Sequence, residues 1–377
     1  MARLARVEVF ATDEVAAVHV MNRTVRRCFL MGYDPVSGRN YDHRKVWIDQ
    51  QLVHQAKHFG IDLLCQAIMS NHLHLVLRSR PDVVQEWSDT EVARRWLMLC
   101  PRRRDENRRP LEPTEFEINR IVNNKEKLAI YRSRLSDISW WMRLLCQNIA
   151  QRANREEGEV GKFWQARYRA VRLLDEMAIL SCAAYVDLNP IRAALAETLE
   201  TSDFTSAQKR SLGLASQTQQ ESQPECALSG GLSETPSAAV RNERIAAVDL
   251  RSAEHLAPVE LNERSGQPGP DANREGVRCS NKGFLPMSTA RYLLLLEWTA
   301  RQQRLAKPGR KPRQIRRLFN RLGISASVWN ELVRNFGRLF SIVAGKPAVV
   351  DSHRSRSGLH RYRALPAARD LLAKVRV

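Results

Sequence analysis

The stretch Met69-Ser70-Asn71-His72-Leu73-His74-Leu75-Val76-Leu77 alternates polar and apolar residues, the pattern of a half-buried strand. Side chains two apart on a strand share a face, so Leu73, Leu75 and Leu77 point to a core while His72 and His74 stand together on the other side. Adjacent imidazoles on a rigid strand are a ready pair of metal ligands, although the same pattern alone also suits two packed histidines. Further along, Tyr185 and Asn189 lie four apart in a helical segment and so share a face. A phenol can act as a covalent nucleophile, and an amide oxygen suits a hard divalent cation. A helix of this kind laid across the histidine face would assemble two imidazoles, an amide oxygen and a phenol. That set suits in-line attack on a phosphodiester, with a cation gripping a non-bridging oxygen and the displaced 3′-hydroxyl able to reverse the step.

The elements that must position these residues follow from periodicity. Residues 15–31 read as a strand, a turn and a second short extended piece, and 42–59 as a helix stopped by Gly60. A strand over 61–68 leads through Ser70-Asn71 into the histidine strand, and Pro81 opens a helix reaching Cys100. Residues 101–110 form a basic loop and 115–157 a helical block, after which a strand is expected at 170–174. Asp175 then caps the tyrosine helix, which Pro190 stops. This order predicts an α+β fold: a ferredoxin-like βαββαβα domain over 1–203 with a helical insertion over about 101–160. The Ser-, Gln-, Gly- and Pro-rich composition past 203 predicts a flexible linker over 204–280. Helices expected at 288–303, 312–322 and 327–343 make a basic C-terminal region over 281–350, followed by a basic tail over 351–377.

Composition points to a polyanionic partner. The 377 residues carry 60 Lys and Arg against 41 Asp and Glu, a formal charge of +19, which favours nucleic acid. Seven scattered cysteines without a C-x-x-C pair argue against a disulfide framework and a zinc ribbon. Reduced thiols in the cytoplasm, with association to the nucleoid, are the expectation. No apolar segment follows the first residues, and no run reaches the roughly 18 apolar residues of a membrane span.

Asn71-His72-Leu73-His74 resembles the histidine–hydrophobe–histidine motif of the HUH endonucleases. Tyr185-Val186-Asp187-Leu188-Asn189-Pro190-Ile191-Arg192-Ala193 resembles the tyrosine helix of insertion-sequence-200-like transposases, most of all the REP-associated tyrosine transposases. Residues 161–174 resemble the family's stretch before that helix, and the segments around Trp298 and 335–340 a C-terminal extension of long members. The resemblance covers 15–100 and 160–200 well and the tail loosely. It implies a ferredoxin-like fold, Mg2+ or Mn2+ held by His72, His74 and Asn189, and Tyr185 as the nucleophile cutting single-stranded or hairpin DNA through a 5′-phosphotyrosine. The block 101–160 and the overall length exceed those of compact members. Monomer and homodimer both occur among such enzymes, and the sequence does not choose between them.

Several residues compete for roles. Tyr168 is a rival nucleophile with basic neighbours, but it lacks an amide one turn later. Lys162, Arg167, Arg169 and Arg172 are expected to contact phosphates, as are Arg310, Lys311, Arg316 and Arg317 in the basic C-terminal helices, whose spacing loosely suggests a helix-turn-helix. His19 could lie near the site from the first strand, but a structural role is the expectation, and Trp140-Trp141 is expected to be core of the insertion. Two other functions fit parts of the pattern: a non-catalytic, domesticated protein that reads hairpins or represses transcription, and a replication initiator or relaxase.

Overall fold

The computed structural model of the chain describes residues 13–221, 252–261, 269–304 and 312–373. Its centre is a mixed five-stranded sheet of order β2-β3-β1-β4-β5, formed by β1 (Ala17–Arg23), β2 (Ile61–Ile68), β3 (His72–Ser79), β4 (Arg169–Leu173) and β5 (Val343–Ala344). β1 pairs antiparallel with both β3 and β4, while β5 joins β4 in parallel. The α+β class agrees with the sequence reading. Thr24–Met31 departs from it: after β1 the chain makes a short 3-10 turn over Val25–Arg27, with Arg26 and Arg27 at positive φ, instead of a second extended piece.

Alternation along the strands gives the sheet two working faces. On one, Val18, Val20, Leu73, Leu75 and Leu77 pack under α1 (His43–His58) and the block that precedes β4. That block comprises α2 (Pro81–Glu86), α3 (Asp89–Leu99), α4 (Glu115–Val122), α5 (Lys125–Leu135) and α6 (Ile138–Glu157). The single helix expected over 81–100 is thus two, because the chain breaks at Trp87 and restarts where the Ser88 side chain caps Glu91. A capping box between Thr114 and Glu117 starts α4, and Gly158 at φ 65° ends α6. Trp141 is buried in this core and Trp140 lies at its margin, as expected.

The other face carries Ala17, Cys65, Ala67, Val76, Val171 and Leu173 under α7 (Glu176–Asp187). Asp175 caps α7 by accepting from the Ala178 amide at 2.8 Å. Pro190 does not end the helical run. It sits in the first turn of α8 (Asn189–Arg192), where its missing N–H costs no hydrogen bond.

The expected linker does not hold over 204–216 or 252–261. Here α9 (Ser206–Glu221) packs on β2, and Lys209 and Arg210 are buried because partners await them. Lys209 Nζ lies 2.9 Å from the Asp49 carboxylate on α1. Arg210 donates to the carbonyls of Leu64 and Ala257. The Ser280 amide and hydroxyl donate to Asp62 at the expected linker's far end. The rest of that linker, 222–251 and 262–268, lies outside the described residues.

The C-terminal region is part of the same core. Helices α10 (Thr289–Arg304), α11 (Arg313–Leu322) and α12 (Ala326–Leu339) bury Tyr292, Phe319, Trp329 and Phe336 together with α7. Each such side chain contributes about 1.5–3 kcal/mol when fully buried. The short α13 (Pro347–Ser357) and α14 (Pro366–Ala373) follow β5. α12 ends at Leu339, short of the expected Val343, which instead pairs with Arg172 on β4.

Candidate active site

His72 and His74 project from β3 toward α7, and their neighbour is Tyr185. The His74 and Tyr185 rings meet edge to face with centroids 5.4 Å apart, and the His72 and His74 rings lie 5.0 Å apart. Antiparallel pairing also brings His19 of β1 to this face, opposite Val76. Its ring stacks on His74 at 5.1 Å and stands 5.9 Å from Tyr185. Sequence reasoning allowed that His19 could reach the site from the first strand but favoured a structural role; the shared parity of His19 and His74 in paired strands was the signal available.

The imidazole nitrogens are not equivalent. His72 Nδ1 lies 2.6 Å from Asn71 Oδ1, and because an amide oxygen only accepts, that nitrogen carries the proton. Its Nε2 therefore presents a lone pair. His74 Nδ1 lies 2.9 Å from His19 Nε2, which leaves His74 Nε2 as its outer nitrogen. Burial pushes His72 down to about 4, with Arg23 adding to the effect. Burial also holds His74 well below the ordinary imidazole range and takes His19 to about 3. Neutral imidazoles are the metal-binding form.

The charges acting on these rings are cationic. Arg23 faces His72 across β1 and β3, Arg169 on β4 acts on His19, and Arg192 acts on His74. The Arg192 guanidinium lies 4.6 Å from the centre of the Tyr185 ring. Arg23 Nε and Arg192 Nη1 are buried without a hydrogen-bond partner among the described residues. The other side of Tyr185 is closed by α12: the Phe336 ring lies 5.6 Å away, and Gly337 backs onto the hydroxyl.

Asn189 opens α8 one turn beyond Tyr185, half-buried, with its side-chain amide uncommitted among the described residues. No three His, Cys, Asp or Glu side chains among the described residues gather as a metal-binding group. A cation held here would thus draw on the two outer imidazole nitrogens and a ligand of another type, such as an amide oxygen. The donor set fits a divalent cation in that limited sense.

The remaining candidates separate clearly. Tyr168 is buried on the opposite face, in the core of α1 and α6, and its hydroxyl donates to Ser139 Oγ at 3.3 Å. It is removed from the imidazoles and does not compete with Tyr185. Lys162, Arg167 and Arg169 are exposed beside or within β4. Arg172 is not free for phosphate: it forms a bidentate ion pair with Glu14. Arg316 and Arg317 are exposed on α11, whereas Arg310 and Lys311 lie outside the described residues. α12 buries Val328, Trp329, Leu332, Val333 and Phe336 in the core it shares with α7 and exposes Glu331, Arg334 and Arg338 on its other face.

No helix among the described residues is long and apolar enough to cross a membrane. No family model and no curated protein matches the chain. Among solved structures, the chain is similar to a REP-associated tyrosine transposase bound to a REP hairpin, at 10% identity and a TM-score of 0.29, over 63% of this chain and 96% of that one.

Proposed function

We propose that this protein is a tyrosine transposase, or a site-specific endonuclease of the same chemistry, that cuts and rejoins single-stranded or hairpin DNA. The observation that carries the reading is the meeting of Tyr185 with two neutral imidazoles in a pocket whose charged neighbours are arginines. A cationic wall of this kind is matched to a phosphodiester. The order β2-β3-β1-β4 of the first four strands supports the ferredoxin-like reading of the fold.

In this reading Tyr185 Oη attacks phosphorus. A P–O bond to tyrosine forms, the bond to the 3′-oxygen breaks, the phenolic proton passes to solvent and the leaving 3′-oxygen takes one up. Rejoining is the reverse. His72, His74 and Asn189 would hold Mg2+ or Mn2+, which when bound neutralises charge on a non-bridging phosphate oxygen. The imidazoles do this best with Nδ1 protonated, the tautomer that Asn71 selects for His72.

The test is a denaturing gel of labelled single-stranded hairpin DNA incubated with the protein and Mn2+. Wild type should give a protein–DNA adduct that Tyr185→Phe and His72→Ala lack. Binding without any adduct, across a library of hairpins, would instead leave a DNA-binding protein.

A further inference from the structure

Two arginines near the imidazole pair and Tyr185 keep buried N–H groups without acceptors among the described residues. Arg192 Nη2 donates to the Arg334 carbonyl on α12 at 2.8 Å, which fixes the guanidinium over the tyrosine ring. The Tyr185 hydroxyl also acts on the guanidinium, but Nη1 is buried without a hydrogen-bond acceptor among the described residues, where no carboxylate pairs with Arg192 either. A buried cation with an idle N–H is costly unless a ligand supplies the missing partner. Arg23 Nε, on β1 opposite His72, likewise has no acceptor among the described residues. One guanidinium beside Tyr185 and another beside His72, each with an N–H lacking an acceptor among the described residues, suit a group with several acceptor oxygens. Arginine suits a tetrahedral phosphate because its fork can give more than one hydrogen bond.

We infer that Arg192 binds the phosphate under attack and the phosphotyrosine that results, and that α12 holds it there through the Arg334 carbonyl. The inference rests on the reading of Tyr185 as nucleophile and adds a phosphate-binding residue outside the metal set. It also gives the C-terminal region a place in the reaction: α12 positions a side chain that contacts the reacting atoms.

The experiment compares Arg192→Gln and Arg192→Lys with wild type. Hairpin binding is followed in EDTA as salt is varied, using the Tyr185→Phe background so that no cutting occurs. Loss of one phosphate contact on a single strand should flatten the log–log salt slope by about 0.7 in Arg192→Gln and leave it unchanged in Arg192→Lys. Adduct formation with Mn2+ in the Tyr185-containing versions should fall on the order of 100-fold in Arg192→Gln, the loss typical of one preorganised donor. Arg192→Lys should recover part of that rate. A wild-type slope and rate in Arg192→Gln would overturn the inference while leaving Tyr185 as nucleophile. No adduct from wild type, with the slope change intact, would sink the nucleophile reading and keep the phosphate contact. Should Arg192→Gln fail to fold by circular dichroism, the lysine variant decides alone: an unaltered rate there removes any need for arginine.

Discussion

His19 Nε2 lies 2.9 Å from His74 Nδ1, and the two rings are stacked. A second imidazole therefore fixes the orientation of His74 from the neighbouring strand, as an outer partner does for a metal-bound histidine. Replacing His19 by Phe should leave His74 free to turn and should weaken Mn2+ binding in the presence of DNA about 10–100-fold. His19→Gln, which keeps an acceptor, should weaken it less. Calorimetric titration of both variants checks this, and equal affinities for wild type and His19→Phe would remove His19 from the site.

Gly337 gives an unusual separation of stability from activity. A Cβ built there would lie 3.3 Å from the Tyr185 hydroxyl. Alanine in a helix is favoured over glycine by about 1 kcal/mol, so Gly337→Ala should unfold at the same temperature or higher. The added methyl should displace the hydroxyl by a few tenths of an ångström and slow adduct formation. Thermal unfolding and adduct rate from one preparation should move in opposite directions; a faster rate would show that the hydroxyl needs no room on this side.

The Lys209–Asp49 pair is buried at both ends, and Asp49 also accepts from Gln66 Nε2 at 2.6 Å. Lys209→Met would strand a buried carboxylate and should cost about 3–5 kcal/mol in urea unfolding. Adding Asp49→Leu should return part of the loss. A single-mutant cost below 1 kcal/mol would mean that α9 is not anchored through this pair.

Buried histidines make acid the weak side of the stability curve. Burial lowers His58 to about 2, His19 and His255 to about 3, and His72 to about 4, while His74 is lowered in the same sense. The unfolded chain takes up these protons near pH 6.5 and the folded one does not. The stability they confer is thus complete above about pH 6.5 and is lost as pH falls toward the folded values. Each contributes about 1.4 kcal/mol per pH unit within its window. Urea unfolding between pH 7 and 5 should show this slope, and His58→Gln should reduce it by one proton; an unchanged slope would contradict the assignment of His58.

Much of the candidate site's geometry was legible because its signals are local. A two-residue period set His72 and His74 on one face, and one helical turn related Tyr185 to Asn189. What escaped depends on contacts between distant parts of the chain. Arg172 reads as a phosphate ligand until Glu14 is seen beside it. Polar residues such as Lys209 and Ser280 read as linker because their buried partners, Asp49 and Asp62, lie far away in sequence. The contact of His19 with His74 became visible only once the register of β1 against β3 was known. The association of α12 with α7 carries no local signature, since an amphipathic stripe states that a helix is buried but not against what.

The seating of Phe336 against Tyr185 has a consequence for the order of synthesis. The two rings are separated by roughly 150 positions of chain. At a translation rate of about 5–20 residues per second, the tyrosine precedes its aromatic neighbour by about 8–30 s. Throughout that interval a nascent chain on the ribosome carries the phenol without the helix that later steadies Arg192 over it, so nicking competence should arrive only when the last third of the polypeptide has been made.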